Sequence, residues 1–354
     1  MSYFERVQKL PIKENPIIMG IETSCDETAV SIVKNGREIL ADVIISSATE
    51  HAKFGGVVPE IASRVHTTAI YNATKKALEQ AKLTLDDIDA FAVTYGAGLL
   101  GALLVGVSFA KTLAYSLNKP LIPVSHIRGH IAASYLNNDD LKPPFITILC
   151  SGGHTAILKV EDYYNLTYLG GTIDDAVGES FDKVARVLGL SYPGGPNVEN
   201  LAKDGKNVIP LPKMLKNYTG GEFDFSYSGL KTAVINYVHT QSDKGNAINK
   251  ADVACSFQHS AIDVLIEKAL KAIDLTGYST ITVSGGVGAN GYFRNALENA
   301  CALRKIRLVL PEKRYCTDNG AMIGAEGYLQ YKIKNFADLS LNAKAVVPLI
   351  KEKL

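Results

Sequence analysis

Apolar positions along the chain form runs broken by polar or glycine turns and stripes at helical spacing, and the two patterns alternate in two cycles. In PIIMGIETSCDETAVSIV the apolar runs 17–21 and 29–33 flank a polar turn over 22–28, which predicts two strands joined by that turn. EILADVIIS, 38–46, predicts a third strand, so the chain opens as a β-meander behind a short polar lead-in over residues 1–16. In PEIASRVHTTAIYNATKKALEQA, Ile61, Val65, Ala69 and Ala73 recur at spacing four and predict a long helix. AFAVTYG is then a short strand from Ala90, GLLGALLVGVSFAKTLAYSLN a glycine-rich helix, and PLIPVSH a strand entering a further helix.

The second cycle begins at Pro144. PFITILCSGG predicts a strand ending in a glycine turn, and HTAILKV and LTYLGGT predict two more strands. GESFDKVARVLGL predicts a helix with Phe181, Val184, Ala185 and Leu188 on one face. ADVACSFQHSAIDVLIEKALKAI predicts a long helix, STITVSGGVGAN a strand running into a glycine loop, IRLVLP a strand and TDNGAMIGAEGYLQY a closing helix. No repeat is visible at the level of residues, yet both halves open with a meander and continue with alternating helices and strands. Two α/β lobes of this kind usually hold a ligand in the cleft between them, outside strand ends.

Bulk properties narrow the class. The 354 residues suit two domains or lobes, and the formal net charge of +1 leaves any nucleic-acid contact to a local patch. Basic residues do cluster in LRKIRLVLPEKR, 303–314, for which a solvated face is the plainer meaning. Five scattered cysteines without a CxxC pair fit free thiols in a reducing compartment. The N-terminus lacks a signal-peptide core, and no stretch reaches the roughly 20 apolar residues of a membrane helix. A cytoplasmic protein with no membrane partner is the expectation.

Candidate chemistry starts with SHIRGH, where His126 and His130 are four apart and share a face if helical. A zinc protease would need a glutamate after the first histidine, and Ile127 occupies that place. A metal would also need a third ligand; Asp318, ahead of the last helix, is either that ligand or a helix cap. Three polar or glycine turns follow strands: one with Asp26 and Glu27, one over 151–155 and one over 284–290. Such turns bring backbone amides close to phosphate oxygens, although each alone is more often a plain turn. None matches a P-loop. DFSYSGLKTAV, 224–234, gets no role from its spacing.

GIETSCDETAVSIV, KFGGVVPEIASRVH, SHIRGH, SGGHT, GESFDKVARVLGL with YPGGP, FSYSGLKTAV, SGGVGAN and CTDNGAMI occur in one order. In that order the chain resembles the catalytic subunit family of the bacterial tRNA threonylcarbamoyladenosine-forming machinery, formerly labelled O-sialoglycoprotein endopeptidase. The resemblance runs from about Ile17 to Tyr328. It implies two ribonuclease-H-like lobes of the actin/sugar-kinase/heat-shock ATPase fold with an interlobe cleft. On this sequence the N-terminal lobe would be 17–143, the C-terminal lobe 144–314, and a closing segment 315–335 would return to the first lobe with the aspartate ligand. It further implies transfer of threonylcarbamoyl from threonylcarbamoyl-AMP to N6 of the adenosine 3′-adjacent to the anticodon in tRNAs reading codons that start with A. One Fe2+ per subunit, or Zn2+, would sit on His126, His130 and Asp318. The adenylate pocket would comprise Leu149, Cys150, Ser151, Gly152, Gly153, Asp182, Gly195, Glu199 and Asn290, with ATP as a second candidate ligand. Glu199 stands where many members have aspartate. Asp26 and Glu27 are the candidates for positioning and proton transfer.

The same resemblance implies three partners besides the enzyme that makes the adenylate: tRNA, a shorter paralogous subunit and a small ATPase. The helix with Ile61, Val65 and Ala69 is a candidate for pairing with the paralogue. The chain departs from the family pattern twice. Arg128 replaces the glutamate of HxEGH, a charge reversal expected to leave binding intact because i+2 does not face i and i+4. Gly96-Ala97-Gly98-Leu99 replaces GPGL, which should loosen that turn. The alternatives are a small-molecule kinase on the same fold, which needs no such metal site, and a non-catalytic scaffold paralogue, which would be expected to lose the histidines.

Overall fold

The computed structural model describes residues 1–215 and 219–348. The chain divides into two compact units, Met1–Leu141 with Asp318–Leu354, and Lys142–Thr317.

The first unit opens with helix α1 (Tyr3–Gln8), where a lead-in was expected. Ser2 and Glu5 form a reciprocal capping box that satisfies two of its amides, and Tyr3 and Val7 are buried. The meander follows as β1 (Ile17–Glu22), β2 (Glu27–Lys34) and β3 (Glu38–Ser46). The first turn is shorter than the polarity pattern suggested. Glu22 and Glu27 belong to the strands, because antiparallel pairing continues as far as Glu22 opposite Ala29. A short helix α2 (Ala48–Ala52) precedes α3 (Pro59–Ala81), then β4 (Ala90–Gly96), α4 (Leu100–Ser116), β5 (Leu121–Ser125) and α5 (His126–Ala132). The sheet order is β3-β2-β1-β4-β5, antiparallel through the meander and parallel from β1 to β5.

The second unit repeats that plan. Strands β6 (Phe145–Cys150), β7 (Thr155–Val160) and β8 (Leu166–Gly171) form its meander. Helices α6 (Val177–Val187), α7 (Gly194–Ala202), α8 (Ser228–Asp243) and α9 (Lys250–Thr276) follow, then β9 (Thr280–Ser284), α10 (Gly291–Leu303) and β10 (Arg307–Val309). The order β8-β7-β6-β9-β10 reproduces the first sheet strand for strand, with the same parallel and antiparallel pairings. Phe181, Val184, Ala185 and Leu188 are buried as their spacing required, each large side chain contributing about 1.5–3 kcal/mol.

Helix α11 (Gly320–Lys332) returns to the first unit and is buried along most of its length. Glycine permits this. A β-carbon on Gly20 of β1 would collide with the Gly320 carbonyl oxygen and stand 2.5 Å from the Gly324 amide, so strand and helix meet backbone to backbone. Among the described residues no helix is long and apolar enough to cross a membrane.

Candidate metal centre and nucleotide loops

Two segments of the first unit, α5 and the residues just before α11, bring His126, His130 and Asp318 together. Helix α5 puts the two histidines one turn apart, their rings edge to face with centroids 4.6 Å apart. Asp318 lies just before α11, whose first turn is capped by Asn319 accepting from the Met322 amide at 2.8 Å. Asp318 Oδ1 is 3.5 Å from His126 Nε2 and 3.1 Å from His130 Nε2, and one ligand atom from each residue falls within 4.8 Å of the others. Two ligands held about 2.1 Å from one ion are roughly 3.0–3.4 Å apart.

The donor set fits a divalent ion. His130 is buried; its Nε2 faces Asp318 Oδ1 at 3.1 Å without hydrogen-bond alignment, and among the described residues its Nδ1 has no hydrogen-bond partner. A buried imidazole left so is costly unless something else engages it. Two imidazoles and one carboxylate suit Fe2+ or Zn2+.

Beneath this cluster is a residue that sequence reading missed. Glu22, fully buried at the end of β1, stands 3.1 Å from His126 Nδ1. Its other contacts are the Ser24 amide at 2.5 Å and the Thr94 hydroxyl at 2.6 Å. Both carboxylate oxygens can therefore accept, and a proton on Nδ1 facing Glu22 would leave the Nε2 lone pair for an ion at the cluster. Ser24 Oγ is also 3.1 Å from Nδ1. Burial would depress the His126 imidazole, but Asp318 and Glu22 outweigh it and raise it to about 9. A carboxylate closing an apolar strand was the signal available in GIETS.

Asp26 and Glu27 lie near the same point. Asp26 is buried, and its carbonyl accepts from the Ser47 amide at 2.9 Å and hydroxyl at 2.8 Å. Burial, then the charges of Asp318 and Asp26, push the Glu27 carboxyl well above its usual range. His66 supports the loop, with Nε2 2.9 Å from the Cys25 carbonyl and Nδ1 2.7 Å from Thr28 Oγ1. Burial and neighbouring carboxylates raise the Cys25 thiol, which removes it as a nucleophile. Arg128 engages α11, with Nε donating to Glu326 Oε1 at 2.7 Å.

In the second unit the other candidates form a connected set. Leu149 and Cys150 are buried in β6 and offer a ligand only backbone atoms. Ser151, Gly152 and Gly153 make the turn into β7, and β-carbons on Gly152, Gly153 and Gly195 would meet nothing within 4 Å. Gly178 of α6 packs against this turn, as does Gly285 (φ +94°) after β9, a conformation that favours glycine. Asp182 Oδ1 accepts from the Gly194 amide at 2.8 Å at the start of α7. Glu199 Oε1 accepts from the Gly291 amide at 2.9 Å at the start of α10. Asn290 uses its side chain to cap α10 and to reach Gln258 at 2.9 Å. Open glycines near three helix N-termini are suited to a phosphate. The five cysteines are free.

The fold and the cluster together define a two-lobed ribonuclease-H-like protein carrying a two-histidine, one-carboxylate centre. Its fold is similar to full-length HypF in the phosphate- and nucleotide-bound form, with TM-score 0.61 at 14% identity over 93% of this chain and 48% of that one. It is also similar to component A of (R)-2-hydroxyglutaryl-CoA dehydratase from Acidaminococcus fermentans, with TM-score 0.53 at 16% identity over 90% and 99% of the two chains. The family model TsaD, tRNA N6-adenosine threonylcarbamoyltransferase, matches residues 38–325. A curated tRNA N6-adenosine threonylcarbamoyltransferase of Clostridium novyi (strain NT) is 51% identical over 92% of this chain and 96% of its own. That of Clostridium botulinum (strain Kyoto / Type A2) is 48% identical over 96% and 99%. The chain belongs to the tRNA N6-adenosine threonylcarbamoyltransferase family, and with it to the acyltransferases.

Proposed function

We propose that this chain transfers threonylcarbamoyl from threonylcarbamoyl-AMP to N6 of the adenosine 3′-adjacent to the anticodon, in tRNAs reading codons that begin with A. The observation that carries the reading is a ready-made three-ligand cluster in a chain of this family. The substrate is a mixed anhydride. N6 attacks its carbonyl carbon, the bond to the phosphate oxygen breaks, AMP leaves with that electron pair, and the amine proton passes to a base. Fe2+ or Zn2+ bound to His126, His130 and Asp318, one per subunit, would supply Lewis acidity to the carbonyl.

The chain's own residues do the rest. Glu22 fixes the orientation of His126. Asp26 and Glu27, neighbours of Asp318, are the candidates to orient the amine and take part in its proton transfer. Amides of the Ser151–Gly153 turn, with Leu149 and Cys150 acting through their backbone, would hold the adenylate phosphate. Asp182 or Glu199 would hold ribose hydroxyls, with Gly195 and Asn290 completing the pocket. ATP could use the same loops. The proposal extends to a cytoplasmic setting and to tRNA, a shorter paralogous subunit and a small ATPase as partners. On α3, Ala69 and Ala73 are buried in the unit's own core, so only the part-buried Ile61 and Val65 of that stripe are available to the paralogue.

The test is reconstitution. The iron-loaded chain, its partners, threonylcarbamoyl-AMP and tRNA should yield the modified nucleoside by mass spectrometry, and His126→Ala should yield almost none. No product from wild type, under conditions where a relative's enzyme works with the same components, would overturn the reading.

A further inference from the structure

Arg128 lies between the two histidines in sequence yet engages a different helix. Its Nε donates to Glu326 Oε1 at 2.7 Å, and the Glu326 side chain is 3% exposed. Gln330 donates to the same oxygen at 2.6 Å and accepts from Asn335 at 2.8 Å, which holds Glu326 in one place. Glu326 lies on α11, the helix that begins just after Asp318. That helix is pinned to β1 and β2 through Gly320 and Gly324, whose added β-carbons would strike Ser31, Val33 and the Gly20 carbonyl. Helix α5 rests on α11 at a second point, where a β-carbon on Gly129 would come within 2.7 Å of Ile323. To the apolar packing of this seven-residue helix the Arg128–Glu326 pair adds a charged, largely buried contact. The roll angle of α5 sets how far His126 and His130 stand from Asp318.

We infer that Arg128 and Glu326 form a strut that holds α5 against α11 and sets the geometry of the metal centre. Arg128 is thus a positioning residue, and its reversal of the family's charge is matched by a carboxylate on the facing helix. The inference rests on the metal reading above and deepens it.

The test uses Co2+ as probe on the full chain, reading its affinity by competition with a chelator and its visible absorption. Glu326→Gln and Arg128→Met should each weaken Co2+ about tenfold, the scale of an outer-shell partner, and shift the absorption band. The charge swap R128E/E326R should recover most of both. Thermal melts show which variants fold, and if Arg128→Met does not, Glu326→Gln decides. Folded single variants with wild-type affinity and spectrum overturn the strut, as does a folded swap that recovers neither. Wild type that binds no Co2+ overturns the metal reading and the strut with it, so the two failures are distinct.

Discussion

The sharpest test of the centre is Glu22→Gln. The substitution is nearly isosteric, so the fully buried site keeps its packing. In the native arrangement Oε1 accepts from the Ser24 amide, while Oε2 faces the Thr94 hydroxyl and His126 Nδ1. The Ser24 amide is a fixed donor, so a glutamine there must turn its carbonyl to Ser24 and its NH2 towards Thr94 and His126. Thr94 can rotate its hydroxyl and accept. His126 can satisfy the new donor only by moving its proton from Nδ1 to Nε2, and a protonated Nε2 cannot ligate. The metal must then reverse that tautomer against a buried mismatch. Loss of an outer-shell partner weakens metal binding about 10–100-fold, or about 1.4–2.7 kcal/mol. Zn2+ affinity measured by chelator competition, beside a melting curve for each protein, gives the answer. A folded variant within about twofold of wild type would refute the tautomer reasoning, because the predicted minimum is tenfold.

Three further outcomes are expected. Gly20→Ala should destabilise the chain by about 3 kcal/mol in urea unfolding, since the β-carbon meets backbone at Gly320 and Gly324 and neither can move aside cheaply. Gly152→Ala should leave stability within about 0.5 kcal/mol, because its β-carbon meets nothing within 4 Å. It should still weaken AMP binding in a calorimetric titration by filling the space a phosphate would approach. Asp174→Ala should destabilise by about 1 kcal/mol, the value of a helix cap, because Asp174 accepts from the Tyr227 and Ser228 amides at 2.8 and 3.2 Å at the start of α8. Burial would raise this carboxyl, but the Ser226 and Ser228 hydroxyls and those amides outweigh it and hold it below its usual value. The group therefore stabilises the fold above the ordinary carboxylate value and loses that contribution as pH falls through the depressed one. The melting difference between variant and wild type should be full near neutrality and shrink in acid below about pH 4.

Elements with strong periodicity were legible from the chain, α3 and β3 among them, because burial on one face imposes its spacing wherever an element is long. Helix α7 was not, since GGPNVENLA opens on turn residues and its helicity depends on packing against α6 and α9. Helix α8 was masked by its own start, where Asp174, some fifty residues upstream, supplies the cap. In the site, the ligand set rested on family resemblance, because spacing could pair the histidines but could not choose between ligand and cap for Asp318. The structure gives the cap to the next residue, Asn319, and puts Asp318 within 3.5 Å of both histidines. Glu326 was invisible and Glu22 gave only the weak signal of a carboxylate closing an apolar strand, for one reason. Each acts through a partner distant in sequence, and a lone glutamate in an apolar run carries no sign of what it faces.

Those two glutamates also bear on how the centre is fastened. The chain leaves the first unit at Leu141, builds the second, and returns at Asp318, so the candidate third ligand is the first residue back. Its position is inherited from α11, which glycine contacts fasten to β1, the strand that ends in Glu22. Ligand and outer-shell carboxylate are thus fixed to one strand–helix pair, independently of α5. Arg128 fastens α5 to α11, where Glu326 offers the complementary charge. The Gly96–Leu99 turn is held by backbone bonds on two sides. The Leu99 amide donates to the Ser24 carbonyl at 2.8 Å, and Gly98 donates to the Ala345 carbonyl at 3.1 Å. A backbone anchored from both sides does not need proline to hold Ser24 beneath His126.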